Sequence, residues 1–298
     1  MWAVPADLVP VVAAACGRAI AAAERRRLVA AIESQGLAED GTRFVAGLEE
    51  RALAALAEHG EALSTGLTGL VPGLERTVRL GGESRWAVDA TLGSRMVVLL
   101  TCEGRVVRTR PLGGWTSTRN RYAVAPATEP WDTAEAQAEL ARRWLAAFGP
   151  LSDDPVADLS WWAGWTVGAT RKALAAAGEV PAAPAKSRAD HPWAALVPSL
   201  DPSTMGWRRR DWYLGELGPQ LFDTNGNAGP TIWCDGHLVG GWAHRPTGEV
   251  VTRLLVDVGR QGAATVEAEA DRLQAWLDAS GARVRPRFPT PLQKELVA

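Results

Sequence analysis

Three stretches of this chain carry side chains whose types and spacing suit chemistry. In the first, Arg105, Arg108, Arg110, Arg119 and Arg121 surround Trp115, and no Asp or Glu falls between Glu103 and Glu129. The second joins Arg208-Arg209-Arg210 to the run Asp223-Thr224-Asn225-Gly226-Asn227-Ala228-Gly229-Pro230. The third sets His237 and His244 beside Asp235. Arginine presents a planar fork that grips phosphate with two hydrogen bonds. Alternating Asn and Gly tolerate positive φ, so Asn225 to Gly229 is expected to form a shaped loop rather than a helix or strand. Together these groups make a surface for a polyanion, with the plainer alternative that an aromatic-rich turn fastens a small barrel. The two histidines are candidates for metal or base chemistry, but their spacing matches no familiar ligand pattern.

Other chemistries find little support. No Gly-x-Ser-x-Gly, phosphate-binding loop or dinucleotide fingerprint occurs in the chain. Cys16, Cys102 and Cys234 are far apart, giving neither a disulfide framework nor a zinc site. No cofactor and no metal are expected. The formal net charge of -2 argues against a uniformly basic nucleic-acid binder, so the distribution of charge matters more than its sum. The first residues lack a basic n-region, and no apolar run reads as a membrane span, which gives a cytoplasmic expectation without membrane partners.

The elements that must position these residues can be read in order. With 298 residues and 47% hydrophobic composition, the chain can bury a sizeable core and fill two or three modules. Residues 1–47 are expected to form a helical arm, with Leu8, Val11, Val12 and Ala15 on one face and Arg25, Arg26 and Arg27 outward. Residues 48–126 read as a winged helix: helices over Leu48–Glu58, Ser64–Leu70 and Asp89–Cys102, then two strands carrying the arginines of the first stretch. An echo of the Arg51–Gly60 pattern at Arg142–Pro150 predicts a second winged helix over 133–187, its wing degenerate. Trp161, Trp162 and Trp165 are read there as core, with a stacking platform for bases as the alternative. Residues 190–298 are expected to form a small β-barrel-like domain with a C-terminal helix over Ala263–Ala279 and a last strand at Arg283–Phe288. Within it, Asp235-Gly236 between two strand-like runs signals a hairpin with a type I′ turn. The fold class is therefore α+β.

A family resemblance joins these pieces. Trp115-Thr116-Ser117, Arg143 to Pro150, Trp161-Trp162-Ala163-Gly164-Trp165, Met205-Gly206-Trp207, Arg210 to Gly215, Asn225 to Pro230, Gly240-Gly241-Trp242 and Pro286 to Pro291 stand in an order that resembles the winged-helix DNA-binding family including the AlkZ/YcaQ-like DNA glycosylases. The resemblance implies tandem winged helices plus a β-barrel around a DNA-binding face, and a partner that is double-stranded DNA, intact or damaged. It implies a fold used by some members to excise alkylated or crosslinked bases. It also implies a catalytic Gln-x-Gln or Gln-x-Asp motif in an N-terminal winged helix, and neither string occurs in this sequence. Met1 to Pro10 reads as an internal junction of longer relatives. Gln137-Ala138-Glu139 and Gln293-Lys294-Glu295 stand nearest, outside the family's register.

Three functions follow as expectations. The first is a DNA-binding protein that does not catalyse alone, contacting DNA through Arg105, Arg108, Arg110, Trp115, Arg119, Arg121, Arg208, Arg209, Arg210, Asn225, Asn227, His237 and His244, with no catalytic residue assigned. The second is an active glycosylase with an unrecognised catalytic group. The third is a protein-interaction scaffold, which the net charge of -2 favours.

Overall fold

The computed structural model describes residues 4–113, 117, 119–181, 192–285 and 288–298. The chain divides into two compact bodies, Met1–Leu151 with Ala163–Ala182 and Ser152–Trp162 with Ala183–Ala298.

The first body opens with a helical run from Ala6 to Ser34: a 3-10 turn, α1 (Val9–Val12), a π turn (Ala13–Gly17) and α2 (Arg18–Ser34). Pro10 sits at the start of α1, where its missing N–H costs nothing. A Cβ on Gly17 would lie 2.0 Å from the carbonyl oxygen of Cys102, so only glycine lets these backbones approach. By length and composition this run is apolar enough to cross a membrane. Val11, Val12, Ala14, Ala15, Ala21, Leu28 and Ile32 are nonetheless buried within the protein.

Next come α3 (Gly41–His59), β1 (Ala62–Leu63), α4 (Ser64–Leu70), β2 (Thr77–Leu80), β3 (Val88–Thr91), α5 (Leu92–Cys102), β4 (Val106–Arg108) and β5 (Arg121–Val124). The Asp40 carboxylate accepts from the Arg43 amide at 2.8 Å and caps α3. The expected boundary at 47/48 therefore falls inside a helix. The helix expected from Asp89 starts later as well, because Thr91 caps it, accepting from Ser94 N–H, while Val88 to Thr91 pair with β2. The strands form a three-stranded sheet in the order β1-β5-β4 and a separate β2-β3 hairpin. Val45, Leu48, Ala52, Leu56, Leu67, Leu74, Val78, Leu92, Met96, Leu99, Leu100 and Val106 make one buried core beneath them. α6 (Thr133–Phe148) and α8 (Val167–Ala177) complete this body, capped by Asp132 and Thr166.

α7 (Pro155–Ala163) belongs to the second body up to Trp162. That body is built on β6 (Ala194–Val197), β7 (Thr231–Cys234), β8 (His237–His244) and β9 (Val250–Leu254), an antiparallel meander in sequence order. The predicted hairpin is present. Asp235 has φ 47° and Gly236 φ 87°, the pair of positive values a type I′ turn demands. Single turns of helix, α9 (Pro202–Met205), α10 (Asp211–Leu214) and α11 (Gly218–Leu221), fill the link between β6 and β7. α12 (Gly259–Ser280) and α13 (Pro291–Val297) follow the sheet.

The expected β-barrel-like domain is a four-stranded open sheet, with no closed barrel among the described residues. Trp233, Leu238 and Ala243 share a core cluster with Tyr213, Leu221, Leu292 and Leu296, while Ile232, Cys234, Val239 and Trp242 form another with Val266. Helices thus cover both faces, so β7 and β8 read as nearly continuous apolar runs. The final strand expected at Arg283–Phe288 is not formed by the described residues 283–285, and residues 286–287 lie outside the described range.

Candidate nucleic-acid interface

In the first body the basic residues of the hairpin are displayed by β4 and β5. Val106 pairs with Val124, Val107 with Ala123 and Arg108 with Tyr122. Main-chain bonds from Thr109 N to Arg121 O at 2.9 Å and from Leu112 N to Arg119 O at 2.8 Å carry the pairing beyond the strands. Burial of Val106 and Tyr122 fixes the register. Arg105, Arg108, Arg110 and Arg119 are exposed and Arg121 is half-buried. Trp115 lies outside the described residues.

These arginines are not electrostatically equal. Arg121 Nη1 donates to Glu61 Oε1 at 2.7 Å, and the Thr109 hydroxyl donates to the other oxygen at 2.7 Å. The Thr109 hydrogen bond first, then the bond and charge of Arg121, hold the Glu61 carboxyl below its usual range. Arg105 sits 3.5 Å from both Glu49 and Glu103. Arg110 and Arg119 make no ion pair among the described residues.

α2, part of the expected helical arm, supplies further cations. Arg18, Arg25 and Arg26 join Glu103 and Arg105 around an open hollow of about 580 Å³. Arg25 is anchored to Glu49 and Glu103, each at 2.5 Å, and Glu49 is buried. The signal was available: residues 18, 22, 25 and 26 fall on one helix face. Counting four arginines against two glutamates, this corner carries an excess of positive charge.

In the second body the arginine triplet is split by its partners. Arg209 Nη2 donates to Asp158 Oδ2 at 3.0 Å, and Asp158 is only 4% exposed and also accepts from the Ser152 hydroxyl at 2.6 Å. Arg210 Nε donates to the Trp207 carbonyl at 2.8 Å, and its guanidinium lies 4.9 Å above the Phe222 ring. Arg208 is exposed. The aromatic residues nearby are packing. Tyr213 stacks on Trp233 at 5.1 Å and meets Trp212 edge-on at 4.7 Å. Trp161 and Trp162, read as core, are 42% and 40% exposed, whereas Trp165 donates to the Ala15 carbonyl at 2.9 Å within the first body.

The Asn-Gly loop is organised by Asp223. Its carboxylate accepts from the amides of Asn225 and Asn227, each at 2.8 Å, and from the Asn227 side chain at 2.9 Å. Those bonds, the Asn227 side chain foremost, hold its pKa below the usual value. Asn225 is exposed, while the Asn227 amide is spent inside the loop. His237 is exposed at the start of β8. His244 is turned inward: Nδ1 accepts from Val284 N at 3.1 Å, which leaves Nε2 as the donor to Gly248 O at 3.1 Å. It serves packing. Among the described residues no three His, Cys, Asp or Glu side chains gather to hold a metal.

Residues 1–276 match the family model described as DNA glycosylase AlkZ-like. A solved structure of the Streptomyces sahachiroi DNA glycosylase AlkZ has a similar fold, with a TM-score of 0.53 at 16% identity, over 89% of this chain and 76% of that one. No curated protein sequence matches the chain significantly.

Proposed function

The chain belongs to the AlkZ-like DNA glycosylase family, and from that membership we propose that it is a DNA-repair protein that binds duplex DNA through its arginine hairpin. The observation that carries the reading is the joint presence of the family match over residues 1–276 and the exposed Arg110 and Arg119 on a hairpin without acidic residues of its own. We read α3, β1, α4, α5, β4 and β5 as a winged helix, supported by the helix order and by the β1-β5-β4 sheet. The hollow lined by Arg18, Arg25, Arg26 and Arg105 adds a phosphate contact on the same body.

The damage recognised in this reading is an alkylated or crosslinked base, as the family resemblance implies. We propose binding without excision, because the sequence holds no Gln-x-Gln or Gln-x-Asp string. Base excision needs a group that positions water or stabilises the cationic sugar, in addition to a DNA surface.

Anisotropy titration of a labelled duplex at several salt concentrations tests the binding. Replacing Arg110 and Arg119 together by Ala is expected to lower affinity and reduce the salt slope by about 2. An unchanged slope removes the hairpin from the interface. Family membership favours a second reading, an active glycosylase. Alkali-labile abasic sites formed in alkylated duplex by the purified chain would establish it in place of binding alone.

A further inference from the structure

The most exposed large apolar side chain among the described residues is Trp86, 74% exposed at the tip of the β2-β3 hairpin. Its stem is fixed to the first body. Thr77 to Leu80 pair with Val88 to Thr91, Val78 is fully buried in the core, and Gln35 at the end of α2 grips Arg79 twice. The Gln35 side-chain amide donates to the Arg79 carbonyl and its Oε1 accepts from the Arg79 N–H, each at 3.0 Å. The tip is shaped as well. Gly81 and Gly82 have φ of 88° and 55°, Ser84 N–H donates to the Gly81 carbonyl at 3.1 Å, and Ala87 N–H donates to the Ser84 carbonyl at 2.9 Å. The Ser84 hydroxyl accepts from Trp86 N–H at 3.3 Å. Above the ring stands the Arg85 guanidinium, 4.8 Å from its centroid, so one face is covered by a cation and the other is open.

Charge sorts the contacts this tip can make. From Gly81 to Ala87 the only ionisable residues are Glu83 and Arg85, which cancel, and on the stem Arg79 pairs with Asp89 at 3.3 Å. A neutral tip gains little from a phosphate chain. An aromatic face gains from the face of a base, and that stacking needs neither net charge nor a particular sequence. The second hairpin of the body, β4-β5, is its complement, for it carries cations and lacks acids. α5 separates the two: β3 runs straight into it and β4 leaves soon after its end. Its 11 residues, at about 1.5 Å each, root the hairpins about 16 Å apart along the helix, within the ~34 Å of one duplex turn.

We propose that Trp86 stacks on an unpaired base of damaged duplex DNA, with Arg85 steadying the ring from its other face. The proposal rests on the reading of the chain as a DNA-binding protein and adds to it a residue that recognises damage. A base inside an intact stack offers no free face, and opening the stack to reach one costs a few kcal/mol per step. A base without a partner has already met part of that cost. Trp86 therefore separates damaged from intact duplex, which arginines on phosphate do not.

Anisotropy titration of the full chain with two labelled duplexes tests this, one intact and one carrying an abasic site opposite the fluorescent base 2-aminopurine. The damaged duplex should bind more tightly, and the 2-aminopurine emission should be quenched in the complex. Trp86→Ala should weaken the damaged duplex by about 10-fold, abolish the quenching, and leave the intact duplex and its salt slope unchanged. Trp86→Phe should keep most of the affinity. The ring is exposed, so both variants should melt as the parent chain does. Equal binding of the two duplexes by the parent chain, an equal loss on both in Trp86→Ala, or no loss at all overturns the proposal. The Arg110/Arg119 double variant separates it from the duplex reading. If that variant loses both duplexes while Trp86→Ala loses neither, the arginine hairpin stands and Trp86 falls. If only Trp86→Ala loses the damaged duplex, Trp86 stands and the arginine hairpin falls. A parent chain that binds neither duplex overturns both.

Discussion

The guanidinium of Arg25 lies 2.5 Å from a carboxylate oxygen of Glu49, a residue 5% exposed in the middle of α3. Burial works against the Arg25 cation, but the hydrogen bonds and charges of Glu49 and Glu103 outweigh it and raise its pKa. This pair ties α2, the edge of the basic hollow, to the core helix beneath.

Arg25→Met leaves Glu49 buried with only Arg105, at 3.5 Å, and is expected to cost about 3 kcal/mol in urea unfolding. Replacing both Arg25 and Glu49 by Met should recover most of that loss, because the stranded charge is gone. A double variant as unstable as the single one would place the cost in packing instead.

The Glu61 carboxylate neutralises Arg121 at the base of the hairpin. Its folded pKa is lowered, so its contribution to stability is complete above the ordinary carboxylate range and is lost as pH falls through the lower folded value. At neutral pH the pair is closed, and Arg121 offers DNA less than Arg119 does. Glu61→Gln is expected to raise duplex affinity and steepen the salt slope by about 1. Anisotropy titration reads both, and a weaker complex would show that Glu61 instead orients Arg121 toward DNA.

Two buried acids give the chain an alkaline limit. Burial pushes the Cys16 thiol from 9.0 to about 11, although a hydrogen bond with Trp165 offsets part of the effect. Burial also pushes the Tyr213 phenol from 10.0 to about 12, with the nearby Arg210 opposing it, and the hydroxyl donates to the Thr204 carbonyl at 2.9 Å. Both groups keep protons in the native chain that the unfolded chain releases. Stability should therefore be full below the unfolded values and fall as pH rises through the folded ones. Urea midpoints measured from pH 8 upward should decline, with Cys16 contributing ~2 kcal/mol of the loss. Cys16→Ala should flatten the early part of that decline; an identical profile would assign it to other groups.

What the sequence disclosed was local. Asp235-Gly236 specified its turn because only residues tolerating positive φ satisfy both positions, and the apolar spacing from Val266 to Leu277 announced α12. The start of α3 was missed because its cap, Asp40, lies inside the stretch assigned to the N-terminal helical arm. The β2-β3 hairpin was missed because its tip, Gly81 to Ala87, hides two strands of four residues each. The candidate site was legible as composition and illegible as partnership. Asp158 stands 51 positions before Arg209, and Val284 stands 40 after His244, so nothing in either local sequence shows that these side chains are already engaged.

That separation gives the sharpest contrast within one tripeptide. Arg209 is held by Asp158, whose hydrogen bond and charge raise its pKa, while its neighbour Arg208 is exposed. Arg209→Ala strands a carboxylate that is 4% exposed, with Ser152 as its remaining donor, so a lower thermal midpoint is expected. Arg208→Ala should leave the midpoint unchanged and, if this face meets DNA, reduce the salt slope by about 1. Arg209→Lys should restore part of the stability by returning a cation, though without the planar fork. The two readouts are independent: thermal melting follows the buried partner and the salt slope follows the exposed charge. Should Arg208→Ala lower the midpoint and Arg209→Ala leave it unchanged, the assignment of the two arginines would have to be reversed.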